Sequence, residues 1–162
     1  MAIIRTVTHR DAEAIARLYD YYVQNTTVTF EEEPVSGREM ARRIDDITAQ
    51  YPWLVYEDFD QVLGFAYAGK WKGRSAYRYT VESTVYVSRD ACGRGVGSAL
   101  YNRLLAELRE QGLHLVIAGI ALPNPTSQAL HERFGFRKVG EFTEVGYKFG
   151  TWLNVGYWEL RL

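Results

Sequence analysis

Thr80-Val81-Glu82-Ser83-Thr84-Val85-Tyr86-Val87-Ser88, followed after Arg89, Asp90 and Ala91 by Cys92-Gly93-Arg94-Gly95-Val96-Gly97-Ser98, is the stretch whose reading decides the fold. The first segment is dense in Val, Thr and Tyr and reads as the strongest strand of the chain. After the glycines, Leu100, Leu104, Leu105 and Leu108 recur on one face of a helix from about Val96 to Gln111, and Gly112 stands where a C-cap glycine belongs. Glycines 93, 95 and 97 allow a sharp turn and keep Cβ atoms away from anything bound there. Their N–H groups and the first helical turn together make an anion site suited to pyrophosphate, the alternative being a flexible turn with no ligand.

Upstream, Ile3, Ile4 and Val7 read as an edge strand. Ala12, Ile15, Ala16, Leu18, Tyr19 and Tyr22 read as a helix, and Ser36 with Glu39 as a capping box for a second helix. Trp53 to Tyr56 and Val62 to Tyr67 are short strands around an acidic turn, Glu57–Asp60. Downstream, Leu113 to Ile120 is a continuous apolar run, the pattern of a strand covered on both faces. Pro123-Asn124-Pro125 stops it, Thr126 to Phe134 is a short helix, and the tail is a strand pair joined near Gly150. This order predicts one α/β domain, residues 1–162, with helices on both faces of a mixed sheet.

Composition narrows the function. Hydrophobic residues at 47% and aromatics at 14% exclude disorder, and a net charge of -1 offers no field for nucleic acid. The one cysteine excludes an internal disulfide or a multi-cysteine metal site, and no metal is expected. Arg5, His9, Arg10 and Asp11 interrupt any signal peptide, and Leu115 to Leu122 falls short of the roughly 20 residues needed to span a bilayer. A cytoplasmic protein with no membrane partner is the expectation. Ser98-Ala99 denies a Walker A loop. Ser98 three residues after Gly95, and Gly119-Ile120 at the next strand end, deny a dinucleotide fingerprint. A phosphorylated ADP bearing a pantetheine arm stays open.

Strand, Gly95 and Gly97, helix, strand, Asn124 and a short helix closed by Phe134-Gly135-Phe136 together resemble the GNAT superfamily of acyl-CoA-dependent N-acetyltransferases. Cys92 departs from the Gln or Arg usual there, which touches one side-chain contact and leaves the backbone cradle intact. Tyr51-Pro52-Trp53-Leu54-Val55, Trp71-Lys72, Thr80 to Ser88, Leu122-Pro123-Asn124, Leu130-His131-Glu132 and Gly146-Tyr147-Lys148 resemble the phosphinothricin acetyltransferase branch within it. The resemblance runs from about Thr26 to Trp158. It implies the GNAT fold, a mostly antiparallel central sheet with helices on both faces, acetyl-CoA as co-substrate, and a homodimer. It places coenzyme contacts at Val85, Tyr86, Val87, Gly93, Arg94, Gly95, Val96, Gly97, Ser98, Asn124 and Ser127. It also implies that the central strand bulges at Val85–Val87 and supplies a backbone donor to the thioester oxygen.

Strand alternation gives Glu82, Thr84 and Tyr86 one face. A carboxylate there is either solvated or the base that takes the proton from an acceptor ammonium. The resemblance maps the general base to Glu82 and gives His131, otherwise a helix-surface histidine, as its partner or as acid to the departing thiolate. His9 and His114 read as structural. The basic run Lys70, Lys72, Arg74, Arg78 is either a solvated loop or, through Arg74, a fork for an acidic head group. Phe30 and Tyr77 are further candidates for the acceptor pocket, with Glu82 and Thr84. The expected reaction is direct transfer of acetyl to the α-amino group of a small amino-acid-like molecule, the resemblance suggesting phosphinothricin, methionine sulfoximine or methionine sulfone, with detoxification as a role. The rivals are another amine (a protein N-terminus or a polyamine) and a non-catalytic acyl-CoA sensor, against which Glu82 and His131 together argue.

Overall fold

The computed structural model describes residues 1–162. Strand β1 (Ile3–Thr6) leads into helices α1 (Ala12–Asn25) and α2 (Gly37–Thr48). Helix α1 buries Ala12, Ile15, Ala16, Tyr19 and Val23, one continuous helical stripe. Helix α2 starts at Ser36, whose Oγ accepts from the Glu39 N–H at 3.0 Å. The reciprocal half of a capping box is missing because Arg42 holds the Glu39 carboxylate at 2.7 and 2.9 Å.

Strands β2 (Trp53–Asp58) and β3 (Gln61–Lys70) are joined more tightly than the acidic turn read from sequence. Phe59 and Asp60 have φ of 48° and 61°, the pair of positive values that a two-residue hairpin turn requires. Then come β4 (Thr80–Val87), α3 (Val96–Glu110), β5 (Leu115–Ala121), α4 (Pro125–Arg133), β6 (Arg137–Lys148) and β7 (Thr151–Arg161). Phe149-Gly150 turns the last pair, where the sequence placed the join. The strands form one seven-stranded sheet in the order β1-β2-β3-β4-β5-β7-β6. Only β4 and β5 run parallel, so the sheet is mixed and mostly antiparallel, as expected.

Alternation along the strands builds two cores. Helices α1 and α2 cover Trp53, Val55 and Phe65 on one face. Helix α3 lays its leucine stripe, Leu100, Leu104, Leu105 and Leu108, on Leu54, Ala66, Ala68 and Val116 on the other. No helix is long and apolar enough to cross a membrane.

Two sequence expectations fail at the sheet centre. Strand β5 is not covered on both faces: Val116, Ala118 and Ile120 are buried, but Gly119 is exposed. Strand β4 does not bulge at Val85–Val87, since its register with β3 is unbroken from Lys70↔Val81 to Gly64↔Val87. Instead β4 and β5 pair only at Thr80↔Leu115, Val81↔Val116 and Glu82↔Ile117, and then part. Beyond that point β5 stays with β7 and β4 stays with β3.

Leu104 is fully buried between α3 and the sheet. Leu104→Ala is expected to destabilise the fold by about 2–5 kcal/mol, read as a lower urea midpoint at unchanged slope. An unchanged midpoint would contradict this account of the core.

Candidate active site

The parting of β4 from β5 decides which main-chain groups are free. Ser88 N–H donates to Leu63 O at 2.7 Å, so even-numbered residues of β4 direct their groups to β3. Odd-numbered residues face the other way: Tyr79 O accepts from Leu115 N–H at 3.3 Å, and the Tyr22 hydroxyl donates to Val87 O. Past Glu82 there is no strand on that side. The N–H groups of Val85 and Val87 therefore face an open cleft between β4 and β5.

The glycine loop closes the mouth of this cleft. Gly93 and Gly95 both have φ of 78°, a left-handed conformation that a side chain would strain, and Gly95 is the N-cap of α3. The unpaired amides of the first turn of α3 thus stand beside Val87. A cavity of about 590 Å³ lies between the β4 edge, this loop and the start of α4. Its lining contains Val85, Tyr86, Val87, Gly93, Gly95, Val96, Gly97, Ser98, Asn124 and Ser127, as the sequence reading expected. Arg94 is the exception, its guanidinium being turned out of the cleft to 3.9 Å from Asp58. The cation that does line the cleft is Arg133 of α4, with Nη2 3.3 Å from Ser98 Oγ. Arg133 was not among the residues singled out from the sequence. Asn124 also has a structural duty: its Oδ1 accepts from Ser127 N–H at 3.1 Å and caps α4.

A smaller cavity of about 80 Å³ continues inward, sharing Val85, Tyr86, Asn124 and Ser127 with the first and adding Thr84 and Gly119. His131 and Tyr101 also line it. His131 is not a helix-surface residue but only 3% exposed. Its Nε2 meets Tyr101 Oη at 2.8 Å, its Nδ1 meets Ser127 O at 2.7 Å, and Tyr101 Oη meets Ser83 Oγ at 2.9 Å. Burial pulls the imidazole pKa down, against the Ser127 carbonyl. No hydrogen bond joins His131 to Glu82. Ser83, which reaches His131 through Tyr101, lies on the α3 face of β4, while Glu82 points to the other face. His131, expected from the resemblance as a partner of Glu82 or as acid to the thiolate, therefore makes no direct contact with that carboxylate.

Glu82 sits where β4 and β5 begin to part. A Cβ on Gly119 would come within 3.5 Å of Glu82 Oε2 and 3.1 Å of the Tyr157 ring. The tight neighbour is the Tyr157 ring, while 3.5 Å from the carboxylate is ordinary van der Waals contact. Burial raises the Glu82 pKa above the ordinary carboxylate value, and the positive charge of Lys72 partly opposes this. Trp71 and Phe142 flank Tyr157 edge-on, with centroids at 5.9 and 5.8 Å.

The other expected acceptor residues are dispersed. Thr84 lines the inner cavity. Phe30 lies against the β6 backbone at Gly146, on a loop held by the buried Lys148, which donates to Thr29 O at 2.8 Å. Desolvation pulls the Lys148 pKa down; its role as a loop anchor had no signal in the sequence. Arg74 lines a separate depression of about 410 Å³ with Lys70, Lys72 and Arg78, near the C-terminal end of α3. Tyr77, in the same loop, is exposed.

The Acetyltransferase (GNAT) domain family matches residues 4–155. Phosphinothricin N-acetyltransferase of Streptomyces viridochromogenes is 43% identical over 156 residues, covering 96% of this chain and 85% of that protein. The L-methionine sulfoximine/L-methionine sulfone acetyltransferase of Pseudomonas aeruginosa is 39% identical, covering 99% of this chain and 95% of that one. A phosphinothricin acetyltransferase from Sinorhizobium meliloti, solved in complex with acetyl-CoA, superimposes with a TM-score of 0.96 at 37% identity, covering 99% of this chain and 88% of the other. With a cleft built of free strand amides and a glycine turn, and relatives of this kind along its whole length, the chain belongs to the GNAT family of N-acetyltransferases.

Proposed function

We propose that the protein transfers the acetyl group of acetyl-CoA to the α-amino group of a small amino-acid-like acceptor of the phosphinothricin, methionine sulfoximine or methionine sulfone type. The observation that carries the reading is the cleft itself. Free amides of β4, the glycine turn and the first turn of α3 line one continuous space that runs inward towards Gly119, beside Glu82. The donors suit the anionic and amide parts of the coenzyme, and about 590 Å³ is an ordinary size for a ligand pocket. Arg133 adds a side-chain cation at the end where phosphates are expected.

The transfer is direct, in a ternary complex. Glu82, kept at a raised pKa, takes a proton from the acceptor ammonium, directly or through water, leaving a neutral amine. The nitrogen attacks the thioester carbonyl, and the Val85 or Val87 N–H stabilises the oxygen as it becomes negative. The C–S bond breaks as the nitrogen, now becoming an amide, sheds its remaining surplus proton, which balances the one the departing thiolate takes up. Lys72, the cation that acts on Glu82, favours an acceptor with an acidic head group, and Thr84 lines the inner cavity on the acceptor side, whereas Arg74, Phe30 and Tyr77 stand apart from it. Cys92 lies at the coenzyme end and not beside Glu82, so no acetyl-cysteine intermediate is invoked. Its free, exposed thiol suits a reducing, cytoplasmic setting.

The protein acts as a homodimer. Phe142, Tyr147, Phe149 and Trp152 on the β6–β7 hairpin are each more than half exposed, an aromatic surface of the kind covered by association. Light scattering is expected to give twice the 18.6 kDa chain mass, and a monomer at tens of micromolar would overturn the assignment.

Thiol release from acetyl-CoA across phosphinothricin, methionine sulfoximine, methionine sulfone and ordinary amino acids tests the function. Rapid release with at least one of the first three is expected; release with none of the panel contradicts it. Glu82→Gln is expected to lower kcat by roughly 100- to 10,000-fold while acetyl-CoA binding persists. Because the base must be ionised, wild-type kcat/KM should rise with pH through a Glu82 pKa lying above the usual carboxylate value. Near-normal turnover by Glu82→Gln would remove Glu82 from the mechanism.

A further inference from the structure

Ser83, Tyr101 and His131 form a hydrogen-bonded line from β4 through α3 to α4, and one end fixes its direction. The Ser127 carbonyl can only accept, and His131 Nδ1 lies 2.7 Å from it, so Nδ1 carries the ring hydrogen. In a neutral imidazole Nε2 is then bare, and Tyr101 Oη, 2.8 Å away, must donate to it. Having given its hydrogen, the phenol oxygen accepts from Ser83 Oγ at 2.9 Å. Every hydrogen in the line points from β4 towards α4. What remains of Ser83 to face the inner cavity is an oxygen lone pair.

The surroundings favour the uncharged ring. Phe136 lies edge-on to His131 at 5.0 Å between centroids, and the Tyr101 ring packs edge-on to Phe134. On α4 the Glu132 carboxylate turns away to Trp158 Nε1 at 3.3 Å. From α3 the facing group is Tyr101, whose own pKa burial drives up; from β4 the nearest charge is Glu82, which acts on Tyr101 from the other face of the sheet.

We propose that Tyr101 is a positioning residue of the transfer site, its hydroxyl holding His131 as the neutral Nδ1–H form and occupying Nε2. With both ring nitrogens engaged within the protein, a hydrogen bond from His131 to a ligand in the inner cavity would have to run through the Tyr101 oxygen. The inference deepens the reading of this cleft as the site of acetyl transfer, but the ring's protonation can be read without any turnover.

The test is long-range ¹H–¹⁵N NMR of histidine-labelled protein from about pH 5.5 to about pH 8.5, with His131→Gln assigning the signal. The His131 ring is expected to stay Nδ1–H and neutral across this range. In Tyr101→Phe the same ring should gain Nε2–H or imidazolium form, with kcat down roughly tenfold, the worth of one hydrogen bond, and KM for acetyl-CoA held within about twofold. A wild-type ring that is Nε2–H, or imidazolium at neutral pH, overturns the proposal. So does a folded Tyr101→Phe variant whose ring is unchanged. If Tyr101→Phe does not fold, Ser83→Ala decides beside the wild type. It leaves the phenol O–H on Nε2, so the Nδ1–H form should survive, and its loss would refute the clamp. Absent acetyl transfer with the expected ring form would count against the reaction and not against Tyr101.

Discussion

Between Glu82 and Val87, strand β4 is hydrogen-bonded along one edge only, because its parallel partner β5 leaves it after the pair Glu82↔Ile117. Every other feature of the site depends on this. A β4 paired on both edges would satisfy all its amides within the sheet and leave no room for a ligand. Where the strands part, Val85 and Val87 offer N–H groups to a cleft that reaches both faces. Helix α3 holds the β3–β4 side and the β6–β7 pair holds β5, so the opening survives as part of a packed structure.

The cleft is electrostatically graded. At its mouth the glycine turn, the N-terminus of α3 and Arg133 present donors and positive charge. At its inner end Glu82 is half-buried, its pKa raised by that burial, with Lys72 moderating the effect. Such a gradient suits an anionic ligand at one end and a cationic amine at the other. Gly119 is where the ends meet, and the closeness of the Tyr157 ring there gives a steric reason for a glycine in the middle of an apolar run.

Much of this was legible in the sequence. The glycine turn before an amphipathic helix announced a phosphate site, and Glu82 stood out as a carboxylate inside the most β-prone segment. Gly150 marked a hairpin turn and makes one in the structure, and the helix read from Thr126 starts at Pro125 with Asn124 as its cap. What escaped had no local signature. The parting of two strands is a property of their pairing, not of any residue type, so it was replaced by an expected bulge. Gly119 was masked by its apolar neighbours and read as one more core position. Tyr101 lies in the leucine stripe of α3, where spacing marks it as core and cannot show that its hydroxyl faces His131. Arg94 was expected in the cleft and Arg133 was not considered, because sequence gives the position of a cation and not the direction of its side chain.

The most direct measurement of the central claim is amide chemical-shift mapping of the isotope-labelled protein as acetyl-CoA is added. The account requires the largest changes at the Val85 and Val87 N–H groups and at those of Gly93 to Ser98, with the β3-bonded amides of Thr84 and Tyr86 shifting less. Saturable binding whose shifts lie elsewhere, or no binding at all, would contradict it.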